Sequence, residues 1–294
     1  DEDGFLYSDG IKIDVSENSF GEKLQCIPSG KYKLEGDMIT NGCRAVIQSQ
    51  ENVIINLNGY KWSFEGYKHI MLLGELSVYD LSEKETGKLV AETDWGNVSL
   101  QGESPVFNLY SGTLESTGEY AVYVIFGSAN LYGGALKSAK YALYFAVIPN
   151  SDAEINLGDT VLEGGDGYSA VSVSCTTYFA DQPAIDISDY TGDSLTVGFT
   201  VAAAGAYRIF KGFKNAEEAE KYQININFLR DGMFCKKIEY DESTGEKYVY
   251  IEDNAFTQQP SAENNYTVNF TNPAASLQWC EVKEEVIAEY TLTS

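Results

Sequence analysis

The chain has 294 residues, of which 44% are hydrophobic and 22% charged, a composition that can bury a core and that excludes a disordered chain. It carries 44 acidic residues against 20 lysines and arginines, for a formal net charge of −24. Phosphate backbones and anionic lipid surfaces attract clustered basic residues, so this charge argues against nucleic acid and membrane surfaces as partners. No apolar run approaches the roughly 18 residues that span a bilayer, so we expect no membrane insertion.

The N-terminal part of the chain predicts short strands without a regular period. Residues 11–15 alternate between apolar and polar side chains, which is the pattern of a strand. Residues 30–34 and 45–47 predict two further strands, which we interpret as an irregular first coil.

From residue 52 onward the sequence repeats. Residues 108–116 read NLYSGTLES, and 22 residues later 130–138 read NLYGGALKS. Looser copies begin at Asn56 and Asn156. In every copy two apolar side chains lie five residues apart across a polar or glycine turn, and these pairs are Leu57/Trp62, Leu109/Leu114, Leu131/Leu136 and Leu157/Leu162.

Each copy is followed by a short strand with apolar residues at period two. These apolar pairs are Ile70/Leu72, Val122/Val124, Leu143/Phe145 and Val171/Val173. A unit of three short strands cannot bury its apolar side alone, but stacked units close a core. We therefore predict an all-β fold, a single-stranded right-handed parallel β-helix, or solenoid. Its predicted coils lie near 52–75, 76–104, 105–127, 128–150, 151–182 and 183–212.

The ends of a solenoid need covering, because terminal coils expose unpaired strand edges. We assign residues 1–30 to an irregular N-terminal cap and residues 31–212 to the β-helix. Residues 213–294 form a C-terminal tail, which is either a cap or the start of a neighbouring β domain.

Within this tail the sequence predicts both a helix and strands. Residues 215–222 begin with an N-cap asparagine followed by acidic residues, which predicts a short helix. Residues 234–240 and 247–252 flank a polar turn and predict a β-hairpin. Residues 266–270 and 279–292 predict further strands.

Part of the repeat resembles a known family. Residues 53–59 read VIINLNG, residues 74–80 read GELSVYD and residues 86–89 read TGKL. This pattern resembles surface proteins of Gram-positive bacteria, many from the gut, that are similar to the pectin-lyase-like β-helix superfamily. The resemblance covers roughly residues 28–212 and implies the β-helix fold and a secreted or cell-surface location. It implies function less narrowly, because such solenoids include lyases, hydrolases and non-catalytic adhesins.

The repeat predicts no catalytic set. The resemblance implies that a lyase of this fold would use an Arg or Lys base beside carboxylates on one parallel sheet. Lys137 faces outward, but its equivalents in neighbouring copies are Glu115 and Glu163. The arginines, which are Arg44, Arg208 and Arg230, are expected to fall outside the repeat. His69, the one histidine, has no spaced Cys or Asp partner, so we interpret it as structural.

An acidic cluster is the candidate metal site. Asp186, Asp189 and Asp193 lie in one polar segment and have two interpretations. The first is a solvated acidic turn, and the second is a loop that binds Ca²⁺, since hard cations prefer several oxygen ligands. No other cofactor is predicted.

The five cysteines match no metal-binding spacing and are interpreted as small buried apolar residues. They lie at positions 26, 43, 175, 235 and 280. A disulfide between Cys26 and Cys43 is left open.

The outward positions of the repeat are tyrosine and asparagine. Tyr123 and Tyr144 alternate with inward residues, so we expect them to stack on the outer face as candidate ligand-binding residues. The alternative is that they only cover the sheet or are covered by the tail. Outward asparagines, at positions 56, 108, 130 and 156, predict a structural amide ladder from coil to coil.

These observations favour a non-catalytic secreted or cell-surface module for binding or adhesion. Its expected ligand is a polysaccharide or a host or bacterial surface protein, and a signal peptide is expected to have been removed. The alternative is a carbohydrate-active enzyme on a β-helix, either a polysaccharide lyase or a glycoside hydrolase.

Overall fold

The strands of this protein stack into three sheets, which we call A, B and C and which are parallel except at the ends of A and B. The structure is a computed structural model that describes residues 6–7, 15–17, 22–41, 43–66, 69–93, 95–149, 151–178, 182–230 and 232–253. The chain makes about eight turns, and a complete turn passes through sheet A, then sheet C, then sheet B. The predicted all-β parallel solenoid is confirmed, whereas its right-handed winding stays a prediction.

Strands are numbered in chain order and given in their spatial order within each sheet. Sheet A contains β1 (Leu6–Tyr7), β4 (Gly30–Lys33), β7 (Asn52–Asn56), β10 (Glu75–Tyr79), β13 (Val106–Leu109), β16 (Ser128–Leu131), β19 (Glu154–Leu157), β22 (Ile185–Asp186), β24 (Gly205–Lys211), β27 (Glu246–Asp253) and β26 (Met233–Asp241). Sheet B contains β2 (Val15–Glu17), β3 (Lys23–Cys26), β6 (Arg44–Ile47), β9 (Ile70–Leu72), β12 (Val98–Leu100), β15 (Tyr120–Val124), β18 (Tyr141–Val147), β21 (Val171–Cys175), β23 (Leu195–Val201) and β25 (Tyr222–Leu229). Sheet C contains β20 (Val161–Glu163), β17 (Ala135–Ser138), β14 (Thr113–Ser116), β11 (Lys88–Ala91), β8 (Lys61–Glu65) and β5 (Met38–Asn41).

The core is a set of apolar columns that run along the stacking axis. In sheet A, Leu109 aligns with Leu131 and then with Leu157, and all three are buried. In sheet B, Val122 aligns with Leu143, and both are fully buried. Each buried side chain therefore packs on its equivalents in the coils above and below, while the backbone of every inner strand pairs on both edges. Burial at roughly 25 cal/mol per Å² of apolar surface is the main stabilising term for such a core.

Five of the six predicted coils agree with the observed turns, whereas residues 183–212 contain two strands of sheet A, one of sheet B and none of sheet C. Each predicted coil between residues 52 and 182 contributes one strand to each sheet, with β10 starting one residue early. The irregular first coil is present as β4, β5 and β6. The parallel pairing of sheet B also continues past residue 212, because β25 pairs in parallel with β23.

The tail folds as its sequence predicts in the part that the structure describes. Helix α1 (Ala216–Glu220) follows Asn215, whose Oδ1 accepts a hydrogen bond from the Glu218 amide at 2.9 Å. The predicted hairpin is formed by β26 and β27, and β27 pairs antiparallel with β24. The hairpin thus covers the last parallel edge of sheet A, as a solenoid end requires. The predicted strands at 266–270 and 279–292, and residues 11–14, lie outside the described residues.

The predicted repeat copy that begins at Asn56 is wrong, because its sheet A strand is out of register with the other copies. In sheet A, Ile55 aligns through the intervening coil with Leu109, so the turn from sheet A to sheet C is two residues longer in the Asn56 coil. Asn56 is therefore not a member of the asparagine ladder. It is buried, and its Oδ1 accepts from the amides of Asn58 at 3.0 Å and Leu81 at 3.1 Å.

A buried carboxylate holds the longest of these turns. Asp80 follows β10 and is 4% exposed. Its Oδ1 accepts from the amides of Gly59 at 2.8 Å and Ser82 at 3.1 Å, and its Oδ2 accepts from the amide of Gly87 at 2.6 Å. A Cβ at position 87 would lie 2.6 Å from Asp80 Cγ, so glycine is needed there. Three parts of the family-like sequence pattern, NG at 58–59, D at 80 and TG at 86–87, therefore meet around the Asp80 carboxylate.

Replacing Asp80 tests this contact. Asp80→Ala leaves three amides without their acceptor and is expected to lower the free energy of unfolding by about 3 kcal/mol. Glu83→Ala, at an exposed position of the same turn, is the control and should change it by less than about 0.5 kcal/mol. Urea denaturation followed by circular dichroism measures both, and equal midpoints for the two variants would contradict the assignment.

Candidate binding site

Six aromatic side chains form a continuous surface on the outer face of sheet B, which we call the tyrosine platform. Its members are Trp95, Tyr120, Tyr123, Tyr141, Tyr144 and Tyr168. The predicted stacking of Tyr123 on Tyr144 is confirmed, with ring centroids 5.2 Å apart and planes 5° from parallel. Tyr120 contacts both rings, at 5.6 Å from Tyr123 and 4.4 Å from Tyr144.

The ends of the platform are its most exposed rings. Trp95 meets Tyr123 edge-on at 5.7 Å and is 51% exposed. Tyr168 meets Tyr141 edge-on at 5.3 Å and is 46% exposed. Both lie between strands, so each adds an aromatic surface beyond the strand columns.

The backbone register explains why the two central rings stack. Tyr123 and Tyr144 are direct partners of the parallel strands β15 and β18, which places equivalent side chains one coil apart. The same column holds Ser99 one coil before and Ser172 one coil after. Both serines are buried, so the column of exposed rings is limited to Tyr123 and Tyr144.

An ion pair between Lys140 and Glu119 borders the platform, and Glu119 also accepts a hydrogen bond from the Tyr120 hydroxyl. Lys140 donates to the Glu119 carboxylate, which lowers the pKa of Glu119, and a hydrogen bond from Tyr120 acts in the same direction. Burial and this hydrogen bond raise the pKa of Tyr120. Burial, with a smaller effect of Tyr144, also raises the pKa of Tyr123. These two phenols are neutral at pH 7, and the group can both stack against a ligand and exchange hydrogen bonds with it.

Sequence reasoning found two platform residues and missed four. Tyr120 and Tyr141 are register partners, and their 21-residue separation was an available signal. Strict alternation hides them, because Ala121 and Val122 are both buried and the strand is irregular at that point. No repeat signal marks Trp95 or Tyr168, which lie in connecting segments.

The acidic cluster does not come together as a metal site. Asp186 accepts from Ser188, at 3.0 Å from its amide and 2.6 Å from its hydroxyl, and pairs with Lys211 Nζ at 3.3 Å. Asp189 and Asp193 are exposed. Over the described ranges, no group of three or more acidic, histidine or cysteine side chains is placed to hold a metal ion. The geometry therefore fits the acidic turn and gives the Ca²⁺ loop no support.

The asparagine ladder is present in three of the four predicted positions. Asn130 Nδ2 donates to Asn108 Oδ1 at 2.8 Å, and Asn156 Nδ2 donates to Asn130 Oδ1 at 2.7 Å. Asn108 Nδ2 in turn donates to Ser77 Oγ at 3.2 Å. We keep the name asparagine ladder for Asn108, Asn130 and Asn156.

The basic side chain of Lys137 has acidic neighbours in its column, and the arginines lie apart from one another. Lys137 pairs with Glu163 at 2.7 Å, in a sheet C column that also holds Glu115. The arginines were expected to fall outside the repeat, and two of them lie on strands of the sheets, since Arg44 starts β6 and Arg208 lies in β24. These two strands belong to different sheets, so the arginines form no basic column.

The interpretation of the cysteines as buried residues is correct for Cys175 and wrong for Cys26, Cys43 and Cys235, which are partly exposed. Cys26 and Cys43 are free thiols, so the disulfide left open between them is not formed. Cys175 is buried, and burial raises the pKa of its thiol to about 12. His69 is buried next to β9. Cys280 lies outside the described residues.

Comparison of the chain with protein families, with curated proteins and with solved structures found no match. In the part of the chain that the structure describes, no helix has the length and apolar character to cross a bilayer.

The ion pair of Asp186 predicts a pH dependence of stability. Partial burial by itself raises the pKa of Asp186, but the hydrogen bonds from Ser188 and the charge of Lys211 outweigh it, and the pKa is lowered from 3.8. A carboxyl with a depressed pKa in the folded state stabilises the fold above its unfolded pKa and loses that contribution as the pH falls. Asp186→Asn should cost about 1 kcal/mol at pH 7.

The difference in the free energy of unfolding between wild type and Asp186→Asn should shrink steadily below about pH 4. Asp189→Asn, at an exposed position of the same turn, is the matched control and should follow wild type at every pH. Urea midpoints between pH 3 and pH 7 measure the effect, and a constant difference across this range would rule out the assignment.

Proposed function

We propose that this chain is a non-catalytic, secreted or cell-surface module that binds polysaccharide on the tyrosine platform. The observation that carries the proposal is the group of six adjoining aromatic rings on one outer face, with two of them about half exposed. Isolated exposed aromatics are ordinary on protein surfaces, whereas a contiguous aromatic patch with polar edges is typical of an interaction site.

The chemistry of the platform favours a sugar over a flat apolar ligand. Tyrosine presents a π face to the apolar C–H side of a pyranose ring and a hydroxyl to its polar edge. The Tyr120 hydroxyl donates to Glu119 and therefore offers a ligand only its acceptor lone pairs, whereas the neutral Tyr123 hydroxyl can donate to a ligand. The stacked rings also lose little conformational freedom on binding.

The cellular setting of this proposal comes from the sequence pattern. The resemblance of residues 28–212 to pectin-lyase-like surface proteins of Gram-positive gut bacteria supports an exported adhesin-like role. The net charge of −24 supports solubility outside the cell and disfavours polyanionic partners. A carbohydrate-active enzyme on the same fold is the competing function, and turnover of a bound polysaccharide would identify it.

Removing the two central rings tests the platform. Tyr123→Ala with Tyr144→Ala is expected to weaken binding to glycans on an array by at least about tenfold, because the main stacking surface is lost. Tyr123→Phe with Tyr144→Phe keeps the rings and should retain more of the signal than the alanine pair. Reducing-end release from each bound glycan is measured in parallel.

A matched control is Tyr60→Ala, which removes an exposed tyrosine that lies in a turn between sheets A and C. It should bind the platform's glycans as wild type does. Unchanged binding by the alanine pair would remove Tyr123 and Tyr144 from the site, and release of reducing ends would replace the binding function by an enzymatic one.

A further inference from the structure

Sheet B ends on a strand edge that no described residue covers. Its last strand, β25, pairs in parallel with β23 on one side and has no partner strand on the other side among the described residues. Phe228, next to the end of β25, is 56% exposed. A free edge of this kind presents a row of unpaired backbone N–H and C=O groups, which can pair with a further strand.

The other two sheets end on protected edges at this end of the solenoid, whereas sheet B does not. The last strand of sheet A, β26, carries Lys236, Lys237 and Glu239, and charged side chains discourage the addition of another strand. The last strand of sheet C, β20, is only 3 residues long. In contrast, β25 has 8 residues, which read YQININFL and include neither a charge nor a proline. A long, uncharged edge favours the pairing of a further strand.

The side chains of β25 define what an added strand must offer. Tyr222 and Ile224 are buried, and Ile226 is partly buried against the core. Gln223 and Asn225 alternate with them and are exposed. A matching strand therefore needs apolar residues on its inner face and uncharged polar residues on its outer face, at period two.

The described part of the chain ends beside this edge. The last strand, β27, ends at Asp253, whose Oδ1 lies 3.5 Å from Nη2 of Arg230. Arg230 directly follows Leu229, which is the last residue of β25. A strand formed soon after Asp253 would therefore begin near the C-terminal end of β25 and run antiparallel to it. The connection 254–263 reaches at most about 35 Å, which is enough to turn back onto the edge.

The first strand that the sequence predicts after Asp253 has the required pattern. Residues 264–272 read NNYTVNFTN, which contains no charge, and Pro273 follows them. The apolar residues of this segment alternate with threonine and asparagine, and they are Tyr266, Val268 and Phe270. The other predicted strand, 279–292, fits less well. Its glutamates, which are Glu281, Glu284, Glu285 and Glu289, occupy both faces of a strand, so either orientation would bury a carboxylate against the core.

We propose that residues 264–272 pair with the free edge of β25 as an antiparallel strand and close the C-terminal end of sheet B. The apolar residues of the segment extend the inner face of β25, and Thr267 and Asn269 extend its outer face. A strand tethered by a short connection has an effective concentration on the order of 1 mM at the edge, which favours it over a second copy of the chain. This pairing does not depend on the ligand of the tyrosine platform.

Hydrogen exchange of the full chain, followed by mass spectrometry, tests the pairing. In wild type, the amides of 264–272 and those β25 amides that do not bond to β23 should exchange slowly. Val268→Pro removes a donor from the middle of the added strand and should speed both sets at least about tenfold. Gln258→Pro places the same residue in the connection and is the matched control, with exchange like that of wild type.

Peptides from β15 and β18 report whether the solenoid stays folded in each variant. If Val268→Pro also speeds their exchange, Val268→Glu decides, because it keeps the backbone donor, puts a carboxylate on the inner face and should likewise expose β25. Fast exchange of 264–272 in wild type, or β25 exchange that neither variant changes, would overturn the proposal. Protection of β25 that falls when wild type is diluted would assign the edge to a second copy and would also overturn it.

Discussion

The pairing of each strand with its equivalent in the next coil is the interaction on which the rest of this structure depends. Because inner strands are hydrogen-bonded on both edges, coils stack at about 4.8 Å and every position becomes a column. Leu109, Leu131 and Leu157 fill one such column inside sheet A. Outside the sheets the same spacing sets ring pairs at 4.4 Å, 4.9 Å and 5.2 Å, distances at which aromatic rings attract each other. Backbone pairing therefore decides both what is buried and what the surface can bind.

Period-two alternation and the 22-residue repeat were enough to predict the fold and to place Tyr123 above Tyr144. They gave a wrong prediction where residues at the same position of the sequence repeat do not align in the sheet. Asn56 matches Asn108 by letter but not by register, because turn length varies from coil to coil while only strand pairing fixes alignment. Tyr120 was hidden because Ala121 and Val122 are both buried, which breaks the alternation. The local sequence predicts the repeat length of the solenoid, whereas the length of each turn decides which residues of neighbouring coils align.

The family-like letters of the sequence are explained by folding requirements. Gly59, Asp80 and Gly87 belong to that pattern, and they meet where one buried carboxylate accepts three amide hydrogen bonds. A residue pattern of this kind preserves a long turn between sheets A and C. It supports a statement about architecture and leaves the ligand to the outward columns, in which the tyrosines and asparagines lie.

The geometry of the tyrosine platform sets the demands that it makes on a ligand. The tyrosine platform gathers rings at several angles around Tyr120, so it offers a broad patch on which a sugar ring can settle in more than one orientation. Tyr123 and Tyr144 are held on paired strands and are already stacked on each other before a ligand binds, so little conformational entropy is lost in forming the site.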